Sequence, residues 1–231
     1  MSAFQRQILL PDFGAAGQEK LSRARVLVVG AGGLGCPVLL YLAAAGVGYI
    51  GIVDGDIVSE SNLNRQVLYG PDDIGLSKAN TAARRLREQF PNTEFESLPF
   101  FLNVENALET ISGYDIVVDG SDNFPTRYMV NDACALLKKP LVLGAVYQYE
   151  GQVAVFDTQR GRSTYRDLYP VPPAAAEAPN CSETGVLGVL PGIIGLLQAA
   201  ETIKSITGLG QPLLDRAVFY HFKTASFFEI E

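Results

Sequence analysis

The chain has 231 residues, 48% of them hydrophobic, and a formal net charge of −7. A chain of this length can bury one substantial core, so we expect a single domain. The acidic balance argues against nucleic acid and anionic membranes as partners, because both require clustered Lys and Arg. The three cysteines, Cys36, Cys134 and Cys181, are widely spaced, which argues against a disulfide framework and favours a reducing cytoplasm.

The first half of the chain predicts a Rossmann-like α/β fold. Residues 1–24 form an N-terminal helical segment without the pattern of an export signal. From residue 25 to 145, apolar runs alternate with helix-like segments, which predicts a mostly parallel, doubly wound sheet. The predicted strands are 25–29, 49–54, 94–98, 115–119 and 141–145. The predicted helices are 34–45, 77–90, 104–111 and 125–138.

Residues 146–231 predict an antiparallel C-terminal extension of the same domain. Strands are expected at 151–156, 217–222 and 226–230. Between them, residues 157–184 are rich in proline, alanine and polar residues without periodicity, so we expect a long, mobile loop with a functional role. The most hydrophobic stretch, 186–200, is shorter than the ~20 residues of a membrane span, and we expect a buried helix.

A glycine turn, GAGGLG, follows the first predicted strand. Gly30, Gly32 and Gly35 have the GxGxxG spacing, and Gly33 lies between them. Such a turn lets the backbone approach a phosphate, and the next helix offers free N–H groups and the positive end of its dipole. Asp54 ends the second strand, where an acidic residue meets a ribose hydroxyl. The alternative is that the glycines serve only helix–strand packing, and the turn does not choose among nucleotides.

Charged residues further along the chain narrow that choice. Arg65 lies in the loop after the second strand and Lys78 opens a helix, positions from which cations can meet a polyphosphate. Asp122 follows the fourth strand in the sequence GSDN, where a carboxylate can hold Mg²⁺ bridging phosphates. Each residue alone has a simpler interpretation: a surface cation for Arg65 or Lys78, and a turn for Asp122 and Asn123. Together they favour ATP over a dinucleotide.

The ordered set GAGGLG, DGDIVSESNLNRQ, GLSKA and GSDN, with RQILL near the start, resembles the MoeB, ThiF and HesA family of relatives of the ubiquitin-activating enzymes. The resemblance covers residues from about 4 to 228. It implies ATP-dependent adenylation of the C-terminal glycine carboxylate of a small ubiquitin-like sulfur-carrier protein ending in Gly-Gly, with release of pyrophosphate. The activated carboxyl would then take sulfur supplied by another protein. The carrier and its pathway stay open.

The resemblance also implies roles for individual residues. The turn would hold the phosphates, Asp54 the ribose and Asp122 the Mg²⁺. Arg6 would reach the phosphates of a partner subunit, which implies a homodimer. The expected nucleotide contacts are Gly30, Gly32, Gly33, Gly35, Asp54, Asp56, Asn62, Arg65, Gln66, Lys78, Asp122 and Asn123. The expected catalytic residues are Arg6, Arg65, Lys78, Asp122 and Cys181.

The cysteine pattern departs from that family. Many members hold a structural zinc with one CxxC pair after the extension strand and another near the C-terminus. Here Thr164 and Asp167 stand where the first pair would be, and the second pair is absent from the sequence, so we predict no zinc. Cys181 matches a loop cysteine that some members link covalently to the carrier, and its alternative is an inessential thiol. Cys36 and Cys134 are expected to be small buried side chains.

Two alternatives of other classes remain at this stage. A nicotinamide-dependent oxidoreductase would explain the glycine turn and Asp54, but it leaves Arg65, Lys78 and Asp122 without a shared purpose. A non-catalytic nucleotide-binding scaffold is the other, because the zinc cysteines are missing.

Overall fold

The computed structural model describes residues 3–161, 163–173 and 185–230. The strands are β1 (Arg25–Val29), β2 (Tyr49–Val53), β3 (Glu94–Leu98), β4 (Ile116–Asp119), β5 (Leu141–Tyr147), β6 (Glu150–Phe156), β7 (Ala217–His221) and β8 (Ser226–Ile230). The helices are α1 (Gln5–Ile8), α2 (Gly14–Arg23), α3 (Gly35–Ala45), α4 (Lys78–Gln89), α5 (Ala107–Ser112), α6 (Phe124–Leu137), α7 (Tyr165–Leu168) and α8 (Val189–Thr207).

All eight strands form one sheet in the order β3-β2-β1-β4-β5-β6-β7-β8. Pairing is parallel from β3 to β5 and antiparallel from β5 to β8. This confirms the expected Rossmann-like sheet with an antiparallel C-terminal extension. Because the order reverses direction between β1 and β4, a crevice opens at the carboxyl ends of those strands, where such sheets bind ligands.

The central strands are apolar because both of their faces are covered. Val26 and Val28 of β1 join a core shared with α2, α3 and α4, whereas Leu27 and Val29 join the core under α5 and α6. Alternate residues of a strand point to opposite faces, so a continuous apolar run predicts this two-sided burial. Cys36 and Cys134, as predicted, are buried on the two faces.

The predicted boundaries differ from the observed ones at two places with a clear physical cause. β5 continues to Tyr147, beyond residue 145, because its antiparallel ladder with β6 extends to the Tyr147–Glu150 pair. α5 begins at Ala107, not at 104, because Asn103 and Asn106 cap each other: each side-chain oxygen accepts the other residue's backbone N–H, at 3.1 and 2.9 Å.

α8 is the one helix in the described ranges whose length and composition would suit a membrane span. Here it packs on the sheet: Leu190 and Ile194 are fully buried, and α8 lies against β5, β6 and α3. Gln198 is also buried and donates from Nε2 to the Asp119 carbonyl oxygen at 2.8 Å. The buried helix expected over 186–200 is therefore confirmed, although it starts later and runs on to Thr207.

Residues 157–173 contain regular structure where none was expected. Tyr165, the first residue of α7, is fully buried and packs edge-on against Tyr128, with ring centroids 4.9 Å apart. Its backbone N–H donates to Asn131 Oδ1 at 2.9 Å. Arg166 adds two hydrogen bonds to the Asp132 carboxylate, at 2.8 and 2.6 Å. This part of the expected loop is thus attached to α6, and the mobility of 157–184 stays a prediction.

Candidate functional site

A cavity of about 200 Å³ lies at the carboxyl ends of β1, β2 and β4. It forms there because parallel strands end at the same edge of the sheet and the loops that follow them converge. Most of the residues predicted to contact a nucleotide line this one cavity: Gly30, Gly32, Gly33, Asp54, Asp56, Arg65, Gln66, Lys78, Asp122 and Asn123.

The glycine turn provides one wall of the cavity and the start of α3. Gly30, Gly32 and Gly33 line the wall, so backbone rather than side chain faces the space. Gly35 does not line it. A Cβ on Gly35 would overlap the Gly30 carbonyl oxygen, so this glycine allows the helix to pack on the turn. The packing explanation therefore applies to Gly35 and in part to Gly30, where a Cβ would be 3.0 Å from the Gly120 carbonyl oxygen and φ is +88°. All three glycines that line the cavity nonetheless expose backbone to it near the α3 N-terminus, where an anion can bind.

Asp54 is held in a fixed orientation at the end of β2. Its Oδ2 accepts the Ala31 N–H and its Oδ1 accepts the Asp56 N–H, both at 2.8 Å. Burial raises the pKa of the Asp54 carboxyl, and the N–H donors together with the Lys78 charge oppose that rise. The carboxylate is therefore a preorganised acceptor beside the glycine turn, which suits a hydroxyl donor.

Lys78 brings a buried positive charge to the cavity. Its side chain is 8% exposed, and its Nζ lies 3.0 Å from Oδ2 of Asp56, whose side chain is 56% exposed. The backbone connects the same pair, since the Lys78 N–H donates to the Asp56 carbonyl oxygen at 3.0 Å. A buried ammonium requires a counterion. Asp56 supplies it here, and a bound phosphate could replace Asp56 in that role.

The segment after β2 supplies Arg65 and Gln66 but not Asn62. Arg65 Nη1 donates to the Ser61 carbonyl oxygen at 2.8 Å, which holds the guanidinium on the cavity wall. Gln66 is buried, and its Oε1 has no hydrogen-bond partner among the described residues. Asn62 was expected to contact phosphate, but it does not line the cavity: its Oδ1 accepts the Ser59 N–H at 3.3 Å and caps a short 3-10 helix.

Asp122 and Asn123 lie on the opposite side, at the start of α6. Asn123 caps this helix, with its Oδ1 accepting the Thr126 N–H at 2.9 Å. The turn role considered for the pair thus holds for Asn123. Asp122 is exposed and lines the cavity, and its Oδ1 accepts Nδ2 of Asn123 at 3.4 Å. Mg²⁺ commonly binds through one or two carboxylates together with phosphates and water, so Asp122 fits that donor set.

The side chains that stand where relatives would hold zinc line a second cavity, of about 150 Å³, and are hydrogen-bonded to one another. The backbone N–H and hydroxyl of Thr164 donate to Asp167 Oδ2 at 2.7 and 2.9 Å. Ser163 likewise donates twice to Asp215 Oδ1, at 2.7 Å each. Zinc sites use thiolate and imidazole donors. Ser163, Thr164, Asp167 and Asp215 offer only oxygen atoms and are already hydrogen-bonded, so they do not fit that donor set, and the absence of zinc stays a prediction.

Two expected catalytic residues are not part of the cavity as described. Arg6 is exposed on α1 and does not line it. Cys181 lies outside the described residues. Sequence reasoning also missed several lining residues: Gly55, Phe100, Phe101, Leu102, Ser121, Thr126, Val146, Val186 and Pro191. Phe100 to Leu102 follow a parallel strand at its carboxyl end, and that position was a usable signal. Val186 and Pro191 carry none, because they reach the cavity through tertiary packing.

Fold and cavity together define a nucleotide-binding protein of the Rossmann-like class. The sequence matches the ThiF family over residues 4–231, so the chain belongs to that family. It is 53% identical to a sulfur carrier protein adenylyltransferase of Thermus thermophilus over 98% of this chain and 85% of that protein. It is 48% identical to the probable adenylyltransferase/sulfurtransferase MoeZ of Mycobacterium tuberculosis, over 95% of this chain and 57% of that protein.

A third relative, the adenylyltransferase and sulfurtransferase MOCS3-1 of Zea mays, is 51% identical over 94% of this chain, which spans 46% of its length. Family membership and these relatives make the chain an adenylyltransferase, and the nicotinamide alternative is not supported.

Among solved structures, Escherichia coli MccB with ATP has a TM-score of 0.87 at 22% identity, covering 100% of this chain and 71% of MccB. PaaA gives 0.84 at 22%, covering 99% and 72%. At this identity they show the fold alone.

Proposed function

We propose that the chain uses ATP to adenylate the C-terminal glycine carboxylate of a small ubiquitin-like sulfur-carrier protein ending in Gly-Gly. The observation that carries this proposal is the convergence of Lys78, Arg65 and the glycine turn with Asp54 in one cavity. Cations and a backbone cradle suit the phosphates, and a fixed carboxylate suits the ribose. The names of the relatives supply the substrate class.

The chemistry needs charge neutralisation more than proton transfer. The carrier carboxylate attacks the α-phosphorus of ATP, the bond from that phosphorus to the bridging oxygen breaks, and pyrophosphate leaves. Nucleophile and electrophile are both anionic, so positioning and electrostatic stabilisation dominate. No protein base is required, because a carboxyl terminus is ionised at neutral pH. Lys78 and Arg65 hold the phosphates and oppose the charge that develops on the leaving group.

Asp122 is proposed to hold Mg²⁺ at the phosphates. When bound, the ion neutralises phosphate charge and makes pyrophosphate a better leaving group. The role of this chain is to present one exposed carboxylate in the cavity that Lys78 also lines. Asn123 supports it from the neighbouring position, where its own side chain fixes the start of α6.

We further propose a homodimer in which Arg6 serves the cavity of the partner subunit. Two observations support it: Arg6 lies outside its own cavity, and the neighbouring Leu9 and Leu10 are exposed apolar side chains. In the later step the Cys181 thiolate is proposed to attack the activated carboxyl and displace AMP, forming a thioester. Sulfide-level sulfur from a separate donor protein then displaces the Cys181 thiolate and leaves the carrier as a thiocarboxylate. A cytoplasmic location, which suits reduced Cys36 and Cys134, stays a prediction.

The test is exchange of labelled pyrophosphate into ATP, catalysed by the purified protein with a panel of carriers ending in Gly-Gly. Reversible adenylation predicts exchange that depends on the carrier and on Mg²⁺. The matched control is the same carrier lacking its last glycine, which should support no exchange. Tight ATP binding without exchange for any carrier of the panel would contradict the proposal and favour the scaffold alternative.

A further inference from the structure

An aromatic side chain at the mouth of the cavity is not explained by core packing. Phe101 lines the cavity and is 65% exposed. Its ring lies directly on Gly55: a Cβ built on Gly55 would be 2.5 to 2.7 Å from three ring carbons. A single exposed apolar side chain is ordinary on a protein surface. This one packs on Gly55, which immediately follows Asp54, and its position at the cavity suggests that it contacts a ligand.

The loop that carries Phe101 is fixed at both ends. Leu98 accepts two backbone N–H groups at its carbonyl oxygen, from Asp54 at 3.2 Å and from Phe100 at 2.9 Å. The Phe101 carbonyl oxygen accepts Nδ2 of Asn106 at 3.2 Å. The ring is therefore presented by a built loop, tied to β2 on one side and to the start of α5 on the other. A preorganised ring can bind without a large loss of conformational entropy.

The order of the strands indicates which part of a bound nucleotide would lie next to the Phe101 ring. β2 lies between β1 and β3, so the β3 end lies beyond Asp54 as seen from the glycine turn. In a nucleotide the phosphates are attached at C5′ of the ribose and the base at C1′, on the other side of the ring. With its phosphates at the turn and its ribose at Asp54, a nucleotide would therefore extend its base toward the β3 end. The wall it meets there is the segment from Phe100 to Leu102. Aromatic side chains bind bases through their π-faces.

We propose that Phe101, seated on Gly55, is the platform on which the nucleobase of ATP stacks. The inference rests on the proposed nucleotide site and adds a residue that determines its affinity for the base. Stacking uses the face of the base and not its edge, so the ring strengthens binding of any nucleotide relative to a phosphate chain alone. Gly55 is part of the same device, since any larger residue would displace the ring.

The experiment measures binding of α,β-methylene-ATP and of inorganic tripolyphosphate by titration calorimetry. The variants are Phe101→Ala, Gly55→Ala, the double variant and the conservative Phe101→Tyr. Each single change to Ala should weaken the nucleotide about tenfold, the scale of one lost stacking contact, and leave tripolyphosphate binding unchanged. The double variant should be no weaker than either single one, because both remove the same contact. Phe101→Tyr should bind like wild type.

Phe228→Ala is the matched control: an exposed phenylalanine on β8, distant in the sheet order from the cavity, which should bind both probes as wild type does. Wild-type protein that binds neither probe would overturn the proposed nucleotide site and this inference with it. Wild-type binding of the nucleotide with unchanged affinity in Phe101→Ala would overturn the inference alone. An equal loss of both probes, or additive effects in the double variant, would overturn it as well.

Discussion

The two ends of the sheet differ in how they are built. From β1 to β5 the strands are parallel, and the central ones are covered by helices on both faces. From β6 to β8 they are antiparallel, and every residue of β8 is exposed, with Phe227 and Phe228 at the surface. The cavity occurs in the covered part. Rigid, doubly packed strands position polar groups more precisely than an exposed edge can.

The two parts also differ in the partners of their polar side chains. In the parallel part, backbone groups orient the cavity residues, as the N–H groups of Ala31 and Asp56 orient Asp54. After β6, side chains on α6 hold α7 in place, as Asp132 does by accepting a hydrogen bond from Arg166. Variants of the cavity residues should therefore change adenylation with little effect on stability. Variants of the side chains that attach α7 to α6 should change stability with little effect on adenylation.

The largest effect is expected for Lys78→Ala. It removes the buried cation from the cavity, and adenylation should fall about 10²- to 10³-fold, as when one preorganised electrostatic group is lost. Stability should change little, because the carboxylate left behind, Asp56, is exposed. Carrier-dependent pyrophosphate exchange and a thermal melt measure the two quantities. Lys223→Ala, an exposed lysine beside β7, is the control and should exchange normally. Normal exchange by Lys78→Ala would remove this residue from the mechanism.

Asp122→Asn should come next, with exchange at least about tenfold lower at a fixed Mg²⁺ concentration and half-saturation at higher Mg²⁺. An amide is a weaker ligand for a hard cation than a carboxylate, and that is the physical reason. A titration of exchange rate against Mg²⁺ measures it. Asp72→Asn, an exposed acid outside the cavity, should match wild type. An unchanged Mg²⁺ curve for Asp122→Asn would contradict the assignment of the metal ligand.

Asp54 should give ATP affinity a pH dependence. Burial raises the pKa of this carboxyl, so protonation begins at a higher pH than for a solvent-exposed aspartate. A protonated carboxyl accepts the ribose hydroxyl poorly, and affinity should fall as pH falls through that raised pKa. Asp54→Asn should bind severalfold more weakly at neutral pH and lack this acid-side decline. The measurement is nucleotide affinity against pH for both proteins, and an identical decline in the variant would refute the ribose contact.

The smallest effect is expected for Asp132→Asn, in the ion pair that attaches α7 to α6. The hydrogen bond from Arg166 lowers the pKa of Asp132. The stabilisation is therefore present above the pKa of the unfolded chain and is lost as pH falls through the folded pKa. Because the pair is partly exposed, the melting temperature at neutral pH should fall by about 2 °C or less. This difference should vanish in acid while exchange stays normal, and impaired exchange in a stable variant would contradict the division between the two parts.

Much of the parallel part was predictable because its signals are local. An apolar run covered on both faces identifies a strand without knowledge of its neighbours, and the spacing of Gly30, Gly32 and Gly35 identifies the turn. The carboxyl ends of the strands then indicated Asp54 and Asp122, and the start of a helix indicated Lys78; all three line the cavity. The spacing of the glycines could not separate lining from packing, so Gly35 was expected in the cavity. Asn62 was expected there from the family resemblance, but its side chain caps a 3-10 helix.

The residues that sequence reasoning missed depend on distant partners. α7 is four residues long, too short for periodicity, and its anchors Asn131 and Asp132 lie 34 residues earlier in the chain. Phe101 lines the cavity because Gly55, near the end of another strand, leaves room for its ring. Such contacts become visible only when the fold brings separate segments together.

In the ion pair between Lys78 and Asp56, the Asp56 carboxylate competes with any bound anion for the Lys78 ammonium. Any anion that enters must displace a carboxylate that is covalently part of the protein and therefore always nearby. A singly charged anion gains little from that exchange, whereas a polyphosphate that also contacts Arg65 and the glycine turn gains more. When the phosphates leave, Asp56 can return to the ammonium at once. Under the proposed function, the same carboxylate would favour entry of highly charged anions and would assist the departure of the phosphates.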